Sequence, residues 1–342
     1  MGVFLKDIGI DLGTTSIRVH VNGKGIVVRA SSVIAVNKYT NNVIAFGNEA
    51  KEMIERTPEG IETIRPIIGG TIVDYDNAER LLKFLVDSAL EGKGSYFSRE
   101  RAVVSVPTGI TEVEKRAVEE AVYQAGAREV YLIEGPMAAA IGANLPIEEP
   151  HGNMVVDIGG GISEMAVISL GGVVNSRSLR IAGDQLDGNI IQYLKKEHNI
   201  LVGAKTAEGI KKAVGTAVGD AKENYVDVCG RDLLTGLPKN LRVSASEVEI
   251  AIKESINTIV DAIKYTLEKT PPELSNDIMV NGITLTGGGA LLRGLDRLIN
   301  LETGMPVFVA KEPLDCVSQG TGKVLKSPKL LKNVSISTRR LR

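Results

Sequence analysis

Apolar and polar positions alternate over Asp7 to Leu12 and over Ser16 to Val21, and a further β-branched run covers Ile26 to Arg29. A period of two is the mark of strands with one buried face, and the short polar turns between them predict a β-meander. The period lengthens to that of a helix over Ala78 to Leu90 and shortens again at an apolar strand, Val103 to Val106. Thr111 followed by Glu112 and Glu114 is a helix-start signal, and Val113, Ala117, Val118, Ala121 and Val122 mark the apolar positions of the helix it opens. Gly126 stops that helix. A strand at Val130 to Ile133 and a small-residue helix at Pro136 to Ala143 complete a β-helix-β-helix unit.

The plan then restarts. MVVDIGGGISEMAVISL repeats strand, glycine turn and strand, so that Asp157 stands in the second half where Asp11 stands in the first, and a duplicated α/β fold is predicted. Helical stretches follow near Leu186 to Lys196, Ala207 to Val214 and Ser246 to Leu267, with Pro271 and Pro272 closing the last. The Leu, Ile and Val side chains of Ile250 to Leu267 are expected in the core. A strand at Gly282 to Leu285 runs into a third glycine turn. From Gly322 onward the chain carries Lys323, Lys326, Lys329, Lys332, Arg339, Arg340 and Arg342 without an acid, and this stretch reads as a basic tail.

Composition narrows the class. The chain has 342 residues, 43% of them hydrophobic, enough for one large or two ordinary cores. A formal charge of -2 removes the argument a basic domain would make for nucleic-acid binding, so no nucleic acid is expected as partner. Cys229 and Cys316 stand far apart, and His20, His151 and His198 have no second His or Cys at ligand spacing, so neither a disulfide framework nor a zinc site is expected. The opening MGVFLKDIGIDLG lacks the apolar run of a signal peptide, and no window approaches the roughly 20 apolar residues of a spanning helix. The expected location is the cytoplasm.

The 37 glycines carry the chemistry, because many cluster at DLGTT, DIGGG and TGGGALLRG. A tight turn after a strand presents consecutive backbone N–H groups into one concavity, which suits phosphate oxygens. In the first turn the hydroxyls of Thr14, Thr15 and Ser16 add donors. In the second, Gly159, Gly160 and Gly161 form another donor array, and the two facing turns make a phosphate clamp. Asp11 and Asp157, at the strand ends, can hold a magnesium ion through water, since magnesium takes few carboxylates plus water and phosphate. The third turn, with Gly287, Gly288, Gly289 and Ala290, is expected to lead straight into a helix and to face the nucleoside or its α-phosphate. A GxxxxGK[ST] P-loop is absent from the sequence.

In this order DLGTT, DIGGG and TGGGA resemble the phosphate and adenosine motifs shared by actins, sugar kinases and heat-shock chaperone ATPases. Four longer runs are similar to the MreB group of bacterial actins: IRPIIGGTIVDYDNAERLLKF, AREVYLIEGPMAAAIGANLPIEEPHGNMVVDIGGG, TAEGIKK and PPELSNDIMVNGITLTGGGALLRGLDRLINLETGMPV. The likeness covers about residues 7 to 325. It implies an actin-like ATPase fold, ribonuclease H-like and duplicated, with two lobes and four subdomains around a nucleotide cleft. Subdomain IA would take 1–31, 62–143 and 311–330, IB 32–61, IIA 144–178 and 243–310, IIB 179–242, and the basic tail 331–342. The resemblance further implies ATP and Mg2+ as cofactors, homopolymer filaments built as double protofilaments beneath the membrane, a contribution to cell shape, and other cytoskeletal or cell-shape proteins as partners. It puts Glu208 on the ribose and Lys211 by the adenine; read from the residues alone, these two are a solvated pair three apart on a helix.

Two departures from the family pattern strike one step. Where the family reads IEEPMAAAIG the chain has Ile133-Glu134-Gly135-Pro136, and GGGTTE becomes GGGISE. The resemblance thus implies that Gly135 replaces a carboxylate that orients the attacking water, and Ile162 a threonine hydroxyl that helps hold it. Glu134 and Ser163 stand next door as substitutes. The expectation is nucleotide binding with slow hydrolysis.

For the membrane, MGVFLKD is too short for an amphipathic helix. Tyr96 and Phe97, beside Arg99 and Arg101, and the basic tail are candidate contacts with an anionic membrane surface, giving a peripheral location at its inner face. A packed aromatic pair and a solubilising tail are the alternatives. Two other functions share the fold. A small-molecule kinase needs a substrate-binding insertion for which the segment between Arg29 and Glu79 leaves little room, and a chaperone ATPase needs a peptide-binding domain after Val324.

Overall fold

The computed structural model describes residues 7–90, 99–219 and 224–340, and the predicted meander opens it. β1 (Ile8–Leu12), β2 (Ser16–Val21) and β3 (Gly25–Ser31) run antiparallel. Their register sets Ile8 opposite Val21, Ile10 opposite Val19 and Leu12 opposite Ile17, so the period-two apolar positions meet on one buried face. β4 (Ile34–Asn37), β5 (Val43–Phe46), α1 (Gly47–Met53) and β6 (Ile61–Ile64) then build a small unit around Val33, Ala35, Ala45 and Ala50. β7 (Ile67–Ile68) and β8 (Thr71–Ile72) form a hairpin. The hydrophobic period hides both units, because such short strands offer too few alternations.

α2 (Tyr75–Ala89) starts at Asp74, whose side chain accepts from the Asn77 N–H, and buries Leu81, Leu82, Leu85 and Val86. β9 (Arg99–Val106), α3 (Glu112–Gln124), β10 (Ala127–Glu134) and α4 (Gly135–Gly142) follow in the predicted order, with β9 parallel to β1 and β10 parallel to β9. Thr111 and Glu114 form the expected capping box. Val113 departs from expectation and is 78% exposed. It lies five residues before Val118, and at about 100° per residue that rotates it off the buried stripe.

The plan repeats in β11 (Asn153–Ile158), β12 (Ser163–Ser169) and β13 (Gly172–Leu179), a second antiparallel meander. Next come α5 (Gly183–His198), β14 (Ile200–Leu201), α6 (Ala204–Val214), β15 (Tyr225–Asp232), β16 (Pro238–Ser244) and α7 (Ala245–Glu268). α8 (Pro272–Asn281), β17 (Ile283–Thr286), α9 (Leu295–Thr303) and β18 (Val307–Val309) complete the half. The strand orders β3-β2-β1-β9-β10 and β13-β12-β11-β17-β18 match position for position, which is the duplication read from Asp11 and Asp157. Ile250 corrects the expectation for α7: it is 61% exposed, because it sits two residues from buried Ile252 and therefore on the opposite side of the helix. The third glycine turn also differs. It enters a short 3-10 turn, Gly288–Leu291, and α9 begins only after Gly294, whose φ of +70° interrupts the helix.

α10 (Cys316–Lys326) packs on α4 with backbone against backbone. A Cβ on Gly142 would stand 1.8 Å from the Cys316 carbonyl oxygen, and one on Gly320 1.9 Å from that of Ala138. The expected basic tail is folded as far as Arg340. α11 (Pro328–Val334) buries Leu331 and Val334, and β19 (Ser335–Arg340) adds to the first sheet antiparallel to β10. Partners on α3 explain this: Arg339 pairs with Glu120 at 3.0 Å and lies over the Tyr123 ring, while Ser337 donates to Glu119. Lys323 donates to the Ile141 and Gly142 carbonyls and to Asn144. A string of like charges reads as a tail only while its acceptors are out of sight.

Candidate functional site

The ends of β1 and β11 open into one cavity of about 490 Å³, a size that suits a small ligand. Its walls are the predicted turns. A Cβ on Gly160 would lie 1.8 Å from the Thr15 hydroxyl oxygen, and one on Gly161 2.4 Å from that of Thr14, so the threonines of the first turn can seat against the second only because the second lacks side chains. Gly287, at φ +78°, brings the third turn against the end of β11, where a Cβ would be 2.3 Å from the Ile158 carbonyl oxygen. Thr14 accepts from the Gly70 N–H at 2.8 Å, Thr15 donates to Asp184 at 3.5 Å, and Ser16 accepts from Arg18 at 2.9 Å.

Of the residues singled out in the sequence, Asp11, Thr14, Thr15, Ser16, Gly135, Asp157, Gly159, Gly160, Gly161, Ile162, Glu208, Lys211, Gly287, Gly288 and Gly289 all line this cleft. Three do not. Ala290 is buried behind the third turn. The Ser163 hydroxyl donates to the Ile181 carbonyl at 2.6 Å, on the far side of β12 from Ile162 and Glu164, as the strand's alternation requires. Glu134 ends β10 beside α4, outside the cleft wall. Neither Ser163 nor Glu134 therefore takes up the place left by Ile162 and Gly135. Tyr96 and Phe97 lie outside the described residues.

The sequence reading missed Arg18, Asp184, Asp187, Arg293 and above all Glu164, which also line the cavity. Period two along β12 places Glu164 beside Ile162 and was the available signal. Acids dominate the floor. Burial pushes the Asp11 carboxyl up to about 6 against the lowering charge of Arg18, and Asp157 raises it further. Asp157 is likewise raised by burial, against a hydrogen bond from Thr286. Glu164 is pushed up to about 8 by burial, although the Thr108 N–H lowers it. Desolvated carboxylates this close together favour a bound cation. The Arg18 guanidinium is the nearest one in the chain, 3.5 Å from Asp11 and 3.0 Å from Asp315.

Across the mouth, α1 reaches α6. Lys51 pairs with Glu208 at 3.1 Å, Glu52 pairs with Lys205, and Glu55 accepts from the Ala204 N–H at 3.2 Å. Lys211 pairs with Asp187 and donates to the Gly183 carbonyl, each at 2.7 Å. Burial raises the Glu208 carboxyl, but hydrogen bonds from Lys212 and Lys51 outweigh this and hold it at about 2. Its folded pKa lies below the ordinary 4.5. The stabilisation is therefore complete above about 4.5 and is lost as pH falls toward 2. Lys51→Met is expected to lower stability by about 0.5–1 kcal/mol at pH 6 and to flatten the acid-side loss. Urea midpoints at pH 6 and pH 3.5 check this, and parallel pH profiles for the two proteins would refute it.

Two matched sheets with a cleft between their strand ends, walled by glycine turns, define an actin-like protein. Solved structures agree: MreB5 of Spiroplasma citri bound to ADP superposes with a TM-score of 0.90 at 36% identity, covering 97% of this chain and 99% of that one. The MamK double helical filament shares the fold, with a TM-score of 0.80 at 22% identity over 94% of this chain and 99% of that one. The MreB/Mbl protein family matches residues 5–333, and the chain belongs to it. It is 48% identical to the cell shape-determining protein Mbl of Bacillus subtilis over 94% of this chain and 96% of that protein. With the cell shape-determining protein MreB of Escherichia coli the identity is 46%, over 95% and 94%.

Proposed function

We propose that this chain binds an adenine nucleotide with magnesium in the cleft and polymerises into actin-like cytoskeletal filaments that contribute to cell shape. The observation that carries the reading is the contact of Thr14 and Thr15 with Gly160 and Gly161, two tight turns lining one cavity, which supports backbone donors from both as the grip on a phosphate. The similar Spiroplasma citri protein is bound to ADP in one structure and to AMPPNP in another. Asp11 and Asp157 would hold the magnesium ion, since both are buried acids raised by burial and a cation relieves that strain. When bound, the ion neutralises phosphate charge. The third turn and Lys211 take the nucleoside end, and Glu208 reaches the ribose from its place between Lys51 and Lys212.

Hydrolysis is slow in this reading, because Gly135 offers no carboxylate and Ile162 no hydroxyl to hold water. Attachment to an anionic membrane surface falls to Tyr96 and Phe97 and to the exposed Lys326, Lys329 and Lys332. No described helix is long and apolar enough to cross a membrane. Calorimetric titration with ATP and magnesium is expected to give saturable binding, and negative-stain images under the same conditions to show filaments. Gly135→Glu is expected to raise phosphate release at least tenfold, as restored assistance is worth roughly 10²- to 10⁴-fold. Absence of both binding and filaments overturns the reading.

A further inference from the structure

Glu164 is a carboxyl only 3% exposed that lines the cleft. An acid so placed is costly unless it is used. One oxygen, Oε1, accepts from the Thr108 N–H at 2.7 Å, in the loop that follows β9. The other, Oε2, is aimed at Gly135, 2.8 Å from where a Cβ on that residue would be. The carboxyl therefore occupies the room at the start of α4 into which a side chain at 135 would project.

That corner is also the end of the cleft. Gly70, Pro107 and Ile162 lie together, since a Cβ on Gly70 would stand 2.5 Å from Pro107 Cγ and 3.0 Å from Ile162 Cδ1, and with Gly135, Lys211, Arg293 and the third glycine turn they line the cavity. A polyphosphate chain held by the first two turns, with its nucleoside by Lys211, brings its terminal phosphate to Glu164. Asp11 and Asp157 are engaged by Arg18 and Thr286, whereas the Glu164 carboxyl is held by Thr108 on one side and lines the cleft beside Gly135 on the other.

We propose that Glu164 holds the attacking water in this chain, supplying from β12 the carboxyl that position 135 lacks; this rests on the nucleotide-binding reading above. Oε2 accepts a hydrogen bond from the water and points its lone pair at the terminal phosphorus. The water oxygen bonds to that phosphorus as the bond to the β,γ-bridging oxygen breaks. The electron pair leaves with the nucleoside diphosphate, and the water proton passes to the released phosphate. Thr108 fixes the carboxyl by its other oxygen, so a change there acts through Glu164.

The test is a double-mutant cycle on the full chain with ATP and magnesium. Glu164→Gln, nearly isosteric, is expected to slow phosphate release at least tenfold while ATP affinity stays within threefold and the melting temperature within a few degrees. In the Gly135→Glu background, where the new Cβ would stand 2.8 Å from Oε2 and move the Glu164 carboxyl aside, the same change is expected to alter release less than twofold, because the water then has another holder. Glu164→Asp keeps the carboxyl and shortens the reach, and is expected to lose rate with affinity retained. A purely structural role predicts that Glu164→Gln loses ATP affinity or melting temperature together with rate, and that result overturns the proposal. Unchanged release in Glu164→Gln with normal ATP binding overturns it too and leaves the nucleotide reading standing. Absence of ATP binding by the unsubstituted protein would instead remove that reading and this proposal together.

Discussion

Gly160→Val is expected to lower ATP affinity at least a hundredfold in calorimetric titration while the chain still folds. The new Cβ would stand 1.8 Å from the Thr15 hydroxyl oxygen and 2.7 Å from the Thr15 Cβ, so the two phosphate turns must part. Each charge-assisted hydrogen bond from backbone to phosphate contributes about 1.5–3 kcal/mol. Losing two gives about 3–6 kcal/mol, or roughly 10²- to 10⁴-fold in affinity. Folding survives because the clash is with a side chain in an open cleft, and neither turn belongs to the apolar clusters. Wild-type affinity in this variant would mean that the ligand is held elsewhere.

Gly320→Val acts on stability rather than on the ligand. Its Cβ would fall 1.9 Å from the Ala138 carbonyl oxygen and 2.6 Å from the carbonyl carbon, and backbone cannot swing aside as a side chain can. α4 and α10 must separate, loosening the cluster that includes Met137, Ile141, Val317 and Val324. Overpacking in a closed core typically costs about 1–3 kcal/mol and occasionally more. With two helix backbones involved, about 3 kcal/mol is expected, read as a lower urea midpoint and a smaller soluble yield. Gly188→Ala is the control, since a Cβ there meets nothing within 4 Å. Equal midpoints for the Gly320→Val protein and the wild type would show that the helices are not seated as described.

How much was legible follows from how local each signal is. The turns at Gly159 to Gly161 and Thr14 to Ser16 are written in consecutive residues, because a concave row of N–H groups demands small side chains in a row. The meanders are equally local, and the match of β1 with β11 made the duplication readable. The cleft's other groups arrive from distant segments: Asp184 meets Thr15 and Arg65, and Gly70 meets Thr14. No window along the chain holds both partners of any of these pairs. The basic stretch misled for the same reason, since Glu120 and Tyr123, which receive Arg339, lie on α3. Ser163 is a different case: the alternation of β12 already turned its hydroxyl away from the cleft, and the period contained that answer.

Three contacts tie α1 and the residues just after it to α6. Lys51 with Glu208, Glu52 with Lys205, and Glu55 with the Ala204 N–H stitch the rim from both sides. Because most of them are pairs of opposite charge near water, ordinary salt loosens them. The hold of the α1 region on α6 is thereby tied to the ionic strength of the surroundings, separately from any chemistry on the cleft floor.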